Sequence, residues 1–141
     1  MSQGHRLFTC SRGRIVNLLV AATAFALTEI GRYVYRPYVY DHDINDLGIA
    51  DTMGNHLGTV ALVYATLTIS HANRRDGLVM MAVIVPGLIL YEFAQELLAG
   101  STFDPRDVVA TLVGGALSAA IYRLAHPAPR EDVDNGRPSS L

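Results

Sequence analysis

The sequence contains four long apolar runs separated by short, charged connections, at about residues 15–35, 52–70, 78–99 and 107–124. A bilayer core about 30 Å thick needs ~20 helical residues and tolerates about 17. The pattern predicts an all-α membrane protein with four transmembrane helices, forming one domain. Polar residues inside the runs, such as Asn17, Asn55 and His56, are costly against lipid but acceptable between helices. The four helices are therefore expected to form a bundle.

The distribution of arginine predicts the orientation. The chain has no lysine, and its arginines cluster before the first run, in the 71–77 connection and after the fourth run. The other two connections mix arginine with aspartate. Short, positively charged loops stay in the cytoplasm, which predicts an inner-membrane protein with both termini inside. Residues 1–14 would be a cytoplasmic N-terminus, and 125–141, polar and Pro-containing, a disordered cytoplasmic tail.

Other classes of protein fit the sequence less well. A soluble four-helix bundle would show a polar stripe along each helix, whereas 15–27 and 78–90 contain no charged residue. The first run also resembles a cleaved signal peptide, with Ala24-Phe25-Ala26 as the cleavage motif. We expect it to be retained, because Glu29 beyond that motif belongs to the repeat described below. The net charge of −2 disfavours nucleic-acid binding.

No cofactor or metal site is predicted. A single cysteine, Cys10, excludes an intrachain disulfide and a cysteine-based metal site. Residues 41–46 resemble the start of a calcium-binding loop, but the glycine and the closing glutamate are replaced by Asp46 and Thr52.

Two segments of the chain resemble each other. Asp51 and Asp107 each precede a run containing glycine at matching offsets, and Glu29 and Glu92 precede them near the ends of the preceding runs. This indicates two parallel helix–loop–helix repeats. The aspartates are expected in the first turns of helices. Small residues one turn apart, at 54 and 58 and at 110, 114 and 118, predict close helix packing.

Glu92 is the most informative ionisable residue. It lies about 20 Å along a helix from Leu78, and an ionisable residue at such depth is a functional candidate. The alternative is a carboxylate that reaches the outer interface and pairs with Arg106. Other polar residues fall at the same predicted level and would line a shallow pocket on the outer side. The candidate ligand-binding residues are Glu29, Asp51, Glu92, Gln95, Asp104, Arg106 and Asp107.

The segment from Tyr91 to Gly114 resembles the VanZ-like membrane family. Its motif has a glutamate and glutamine ending one helix, a Pro-Gly-Arg turn, and Asp, Asn and Gly opening the next. The matching residues are Glu92, Gln95, Gly100, Phe103, Asp104, Asp107 and Gly114. Ala99, Ser101 and Thr111 stand where the family has Pro, Arg and Asn. The resemblance implies a small multi-helix membrane protein with an envelope role, linked in some members to antibiotic (teicoplanin) resistance, and it implies no established reaction.

The sequence thus predicts a membrane protein that binds a lipid or glycolipid head group at the outer face. Membrane lipids are the expected partners, and so small a bundle is expected to associate with itself or with another membrane protein. One alternative is a structural or assembly subunit of a membrane complex. A proton-coupled transporter using Glu92 ranks lower, because residues 78–90 offer no ionisable relay. An enzyme is not favoured, because no nucleophile–base pair stands out.

Overall fold

A computed structural model describes residues 12–70, 74–99 and 103–127, and of residues 74 and 95–99 it describes the backbone only. This part of the chain is helical, without strands. Its helices are α1 (Arg12–Ile30), α2 (Arg36–Asp41), α3 (Ile49–Ser70), α4 (Arg74–Ala99) and α5 (Pro105–Ala125). The predicted N-terminal segment and C-terminal tail fall mostly on residues 1–11 and 128–141, which lie outside the described residues.

The first apolar run continues further than the sequence predicts. A π-helical turn, Gly31–Tyr35, joins α1 to α2, and the N–H of Arg36 donates to the Gly31 carbonyl. Such a turn changes the hydrogen-bond ladder just before Pro37, which has no N–H to continue an α-helical ladder. Gly31 is buried, and a Cβ there would lie 2.5 Å from Met53 Sδ of α3. The turn therefore carries the helix past the proline while keeping α3 close.

α3 is the central helix of the bundle. It packs against α1 on one side and α5 on the other, while α4 contacts chiefly α5. A Cβ on Gly13 would lie 2.9 Å from His126 Nε2, so the start of α1 and the end of α5 meet at one end of the bundle. Gly77, at the start of α4, lies against Tyr122 at the same end. Successive long helices therefore run antiparallel.

The α3–α5 interface is close because α5 presents small residues to α3. Ala110, Gly114 and Ser118 are buried, and a Cβ on Gly114 would collide with the backbone carbonyl of His56. The Tyr64 hydroxyl, fully buried, donates to the Ser118 carbonyl at 3.0 Å. The prediction of close packing is confirmed for this half of the repeat.

The prediction is wrong for the matching glycines of α3. A Cβ built on Gly54 or Gly58 meets no atom within 4 Å among the described residues. The reason is rotational: α3 turns Val60, Val63 and Tyr64 into the core and leaves these glycines on an open face. The repeat itself stays a prediction.

Three helical segments are long and apolar enough to cross a membrane: Arg12–Asp41, Arg75–Ala94 and Pro105–Ala125. They present large apolar side chains outward, including Leu19, Val83 and Leu124, which are 61%, 68% and 84% exposed. Such faces indicate an integral membrane protein, since hydrocarbon rather than water solvates them without cost. α3 is not among these three segments, because Asn55, His56 and several threonines lower its apolar character.

Candidate functional site

Six of the seven predicted site residues lie together at one end of the bundle, opposite the end where Gly13 meets His126. Asp51 and Arg106 line one cavity, and Glu29 and Asp51 line a second. Asp107 interacts electrostatically with Glu92, Asp104 and Asp51. We call this region the polar end. The seventh residue, Gln95, has a side chain outside the described residues.

Asp51 is the residue around which the polar end is organised. It lies in the first turn of α3, as predicted. Its Oδ1 accepts a hydrogen bond from the Tyr40 hydroxyl at 2.7 Å and lies 3.1 Å from Arg36 Nη2. Both partners belong to α2, so Asp51 ties the extension of the first helix to the start of α3. Its negative charge is balanced locally by Arg36.

Asp46, in the loop before α3, satisfies the free amides at the start of that helix. Its carboxylate accepts from the N–H of Ala50 at 2.6 Å and from the N–H of Gly48 at 3.0 Å. Partial burial would raise the pKa of Asp46, but these two amides and the Tyr35 hydroxyl outweigh it and hold that pKa below its usual value. Asp46 therefore caps α3 from the preceding loop, whereas Asp51, in the first turn, bonds to α2.

The loop 42–48 adopts a backbone conformation that few residue types tolerate. Asp43, Leu47 and Gly48 all have positive φ, at 49°, 60° and 85°. Asp tolerates this left-handed region and glycine adopts it freely, whereas Leu47 does so against its preference. A Cβ on Gly48 would lie 3.1 Å from Arg106 Nη1, so this glycine lets the guanidinium approach the loop backbone.

Two cavities flank Asp51. The first, of about 320 Å³, lies between the loop and α5 and includes Asp43, Asp46, Asp51 and Arg106 in its lining. We call it the loop cavity. The second, of about 270 Å³, lies between α1 and α3; we call it the rim cavity. Its polar lining residues are Glu29, Arg32, Arg36 and Asp51. The loop cavity falls at the lower end of the size range of ligand pockets, about 300–1,000 Å³.

The loop cavity offers one cationic and several anionic groups. Asp46 is bonded to amides and Asp51 to Arg36 and Tyr40, as described above. No ion pair joins Asp43 or Arg106 to another residue in the described part of the chain. A guanidinium beside carboxylates can bind a phosphate while the carboxylates accept hydrogen bonds from hydroxyl or ammonium groups.

Glu92, Asp104 and Asp107 form an acidic group beside these cavities, and none of the three lines either cavity. Asp104 caps α5 by accepting from the Arg106 N–H at 2.9 Å. Asp107 accepts a hydrogen bond from Asn55 of α3. Stacking of Phe93 on Phe103, with centroids 4.8 Å apart, holds the end of α4 close to the start of α5.

The sequence interpretation missed four residues that shape the polar end. Arg36, Tyr40, Asp46 and Asn55 each bond to a carboxylate or to helix amides there. Tyr40 is one of four tyrosines between residues 33 and 40, a composition typical of the membrane–water interface. The sequence signal for these residues is the series of tyrosines and arginines before an aspartate-rich loop. Counting charges alone does not show which of these side chains bond to each other.

No group of three or more His, Cys, Asp or Glu side chains within residues 12–70, 74–99 and 103–127 is arranged to hold a metal ion. Comparison of the chain with known protein families, with curated proteins and with solved structures finds no match. The chemistry of the polar end is therefore the observation that bears on function.

Proposed function

We propose that the chain is a four-span inner-membrane protein, with both ends in the cytoplasm, that binds the head group of an envelope lipid or glycolipid at its polar end. The observation that carries the proposal is the loop cavity, in which Arg106 of α5 meets Asp51 of α3 and the loop carboxylates of Asp43 and Asp46. A phosphate would bind Arg106, and head-group hydroxyl or ammonium groups would donate to the carboxylates.

Two features support four crossings and this orientation. α3 has 22 residues, about 33 Å at 1.5 Å per residue, which is sufficient for a core about 30 Å thick. Its polar residues are acceptable because α1 and α5 cover its faces. Arg75 and Arg123 lie at the end opposite the loop cavity, and cytoplasmic placement of that end follows the positive-inside rule.

The resemblance to the VanZ-like family supports the envelope role without naming a reaction. Of its matching residues, Asp104 caps α5, Asp107 bonds to α3, and Gly114 lets α3 and α5 approach. The role in antibiotic resistance is part of this proposal and rests on the resemblance alone.

The test is lipid retention by the purified protein, measured by native mass spectrometry after detergent exchange. We expect Arg106→Gln and Asp51→Asn each to lower phospholipid retention by about ten-fold, equivalent to about 1.4 kcal/mol. Arg123→Gln, which removes an exposed arginine at the opposite end, is the matched control and should retain lipid like the wild type. Wild-type retention by both Arg106→Gln and Asp51→Asn would refute the proposal.

A second function, that of a structural or assembly subunit, is favoured by one observation. The bonds of Asp107 to Asn55 and of Asp51 to Arg36 join helices, so these polar residues serve to hold the bundle together. If this were their whole role, Asp107→Asn and Glu92→Gln would lower yield and Tm, and lipid retention per folded molecule would not change. Head-group binding instead requires that Asp51→Asn lowers retention per folded molecule.

A further inference from the structure

An open apolar groove runs along the α1–α3 face of the bundle, below the rim cavity. It has a volume of about 510 Å³. Leu18 and Phe25 of α1, 54% and 59% exposed, stand along it. Its α3 side is formed by the small residues Gly58, Ala61 and Ala65.

The groove exists because α3 presents small residues on the side that faces α1. Gly58, Ala61 and Ala65 are three and four positions apart, so they share one face of the helix. A Cβ on Gly58 meets no described atom within 4 Å. Atoms lining such a space lack dispersion partners until something apolar fills it.

The length of the groove corresponds to one leaflet of a bilayer. From Leu18 to Thr28 is ten residues along α1, about 15 Å at 1.5 Å per residue, or half of a core about 30 Å thick. Beyond Thr28 come the exposed aromatic rings of Tyr33 and Tyr38, residues typical of the membrane–water interface. The groove therefore ends where lipid head groups begin.

The groove opens directly onto the rim cavity. Thr28 lines both, and the charged residues Glu29, Arg32, Arg36 and Asp51 follow immediately above it. Arg36 and Asp51 neutralise each other at 3.1 Å. The remaining two charges are a guanidinium, Arg32, and a carboxylate, Glu29, neither of which forms an ion pair with another described residue.

This change from apolar to charged at one level matches a phospholipid rather than a second helix. A helix lying in the groove would continue its backbone past Glu29 and Arg32, while a phospholipid becomes charged at that level. A single guanidinium suits one phosphate, and the adjacent carboxylate suits an ammonium group and disfavours a head group with net negative charge.

We infer that the groove and the rim cavity together hold one zwitterionic, amine-bearing glycerophospholipid, with an acyl chain along Gly58, Ala61 and Ala65, its phosphate at Arg32 and its amine at Glu29. This inference goes beyond the proposed function. It assigns a second lipid site on the α1 side of Asp51, separate from the loop cavity on the α5 side.

The test uses the full-length protein in nanodiscs of equal parts phosphatidylethanolamine and phosphatidylglycerol, released into native mass spectrometry. We expect a retained lipid in the wild type that is mostly phosphatidylethanolamine. Gly58→Leu, which fills the groove, should lower this adduct about ten-fold. Gly87→Leu is the matched control, because a Cβ on Gly87 of α4 also meets no described atom and Gly87 lines none of the cavities described here.

A second variant keeps the test valid if Gly58→Leu folds poorly. Arg32→Gln leaves the groove intact and should lower phosphatidylethanolamine retention to a similar extent. Retention at the wild-type level in both Gly58→Leu and Arg32→Gln would overturn the inference. So would equal retention of the two lipids by the wild type.

The same spectra separate this inference from its alternatives. If Arg106→Gln loses lipid and Gly58→Leu does not, the head-group proposal stands and the groove assignment fails. If Gly58→Leu loses lipid and Arg106→Gln does not, the loop cavity is not the head-group site. A wild-type dimer that Gly58→Leu converts to monomer, with no change in lipid adducts, would show that a second copy of the chain occupies the groove and would overturn the lipid assignment.

Discussion

Replacing one glycine in each half of the predicted repeat tests how closely the central helices pack. Gly114→Ala adds a methyl group that would collide with the His56 carbonyl and lie 2.9 Å from Thr59 Cβ. A backbone carbonyl cannot rotate away as a flexible side chain can, so α3 and α5 must separate. Overpacking of this kind costs about 1–3 kcal/mol. Gly54→Ala adds the same methyl group where no described atom lies within 4 Å.

The two variants gain the same helix propensity, up to about 1 kcal/mol for alanine over glycine. The difference between them therefore isolates the packing cost. At roughly 3–4 °C per kcal/mol for a chain of this length, Gly114→Ala should melt about 3–12 °C below Gly54→Ala. Thermal unfolding in one detergent, followed by circular dichroism, measures this difference. Equal melting temperatures would refute the close α3–α5 contact.

Three further predictions concern single interactions. Tyr64→Phe removes the buried bond to the Ser118 carbonyl and should lower the free energy of unfolding by about 0.5–1.5 kcal/mol in detergent; a change below 0.2 kcal/mol would contradict this bond. Because the folded-state pKa of Asp46 lies below that of the unfolded chain, its stabilisation of the loop is complete above about pH 4 and is lost as the pH falls through the folded-state pKa. Amide hydrogen exchange in residues 48–50, corrected for intrinsic rates, should accelerate on acidification to pH 2 in the wild type, and Asp46→Asn should show fast exchange already at pH 6. Arg36→Gln removes a half-exposed ion pair with Asp51 and should change stability by less than about 1 kcal/mol; a larger loss in denaturant titrations would mean that this pair is shielded from solvent.

The helices were predictable from the sequence because each apolar run is long and its ends carry charge. The structure extends the runs by two to six residues at several ends. α5 begins at Pro105 and is capped by Asp104, and the first run continues through α2 to Asp41. Pro37 favours an earlier end, because it has no N–H to continue the α-helical hydrogen-bond ladder. The π-helical turn before it brings Gly31 against Met53 of α3, a tertiary contact that local sequence does not encode.

The candidate site was predictable in composition and less so in arrangement. Counting charges placed Glu29, Asp51 and Arg106 at one level, and they do lie at one end of the bundle. Which carboxylate caps a helix and which pairs with arginine depends on the loop path through Asp43, Leu47 and Gly48, all with positive φ. Of these three residues, only Gly48 is of a type that predicts a positive φ.

The position of α3 explains why a bundle this small can hold a polar site. α1, α4 and α5 present large apolar side chains outward, as a hydrocarbon solvent requires. α3 has most of its surface covered by its neighbours, and Leu62 and Ile69 are its large apolar residues with substantial exposure beyond the first turn. Polar residues on α3 are thus paired with other helices instead of facing lipid, which lowers the cost of retaining them. It follows that Asp51 and Asn55 are acceptable only while α1 and α5 remain packed on α3. Loosening the α3–α5 contact at Gly114 should therefore weaken lipid binding at the polar end, although Gly114 lines neither of its cavities.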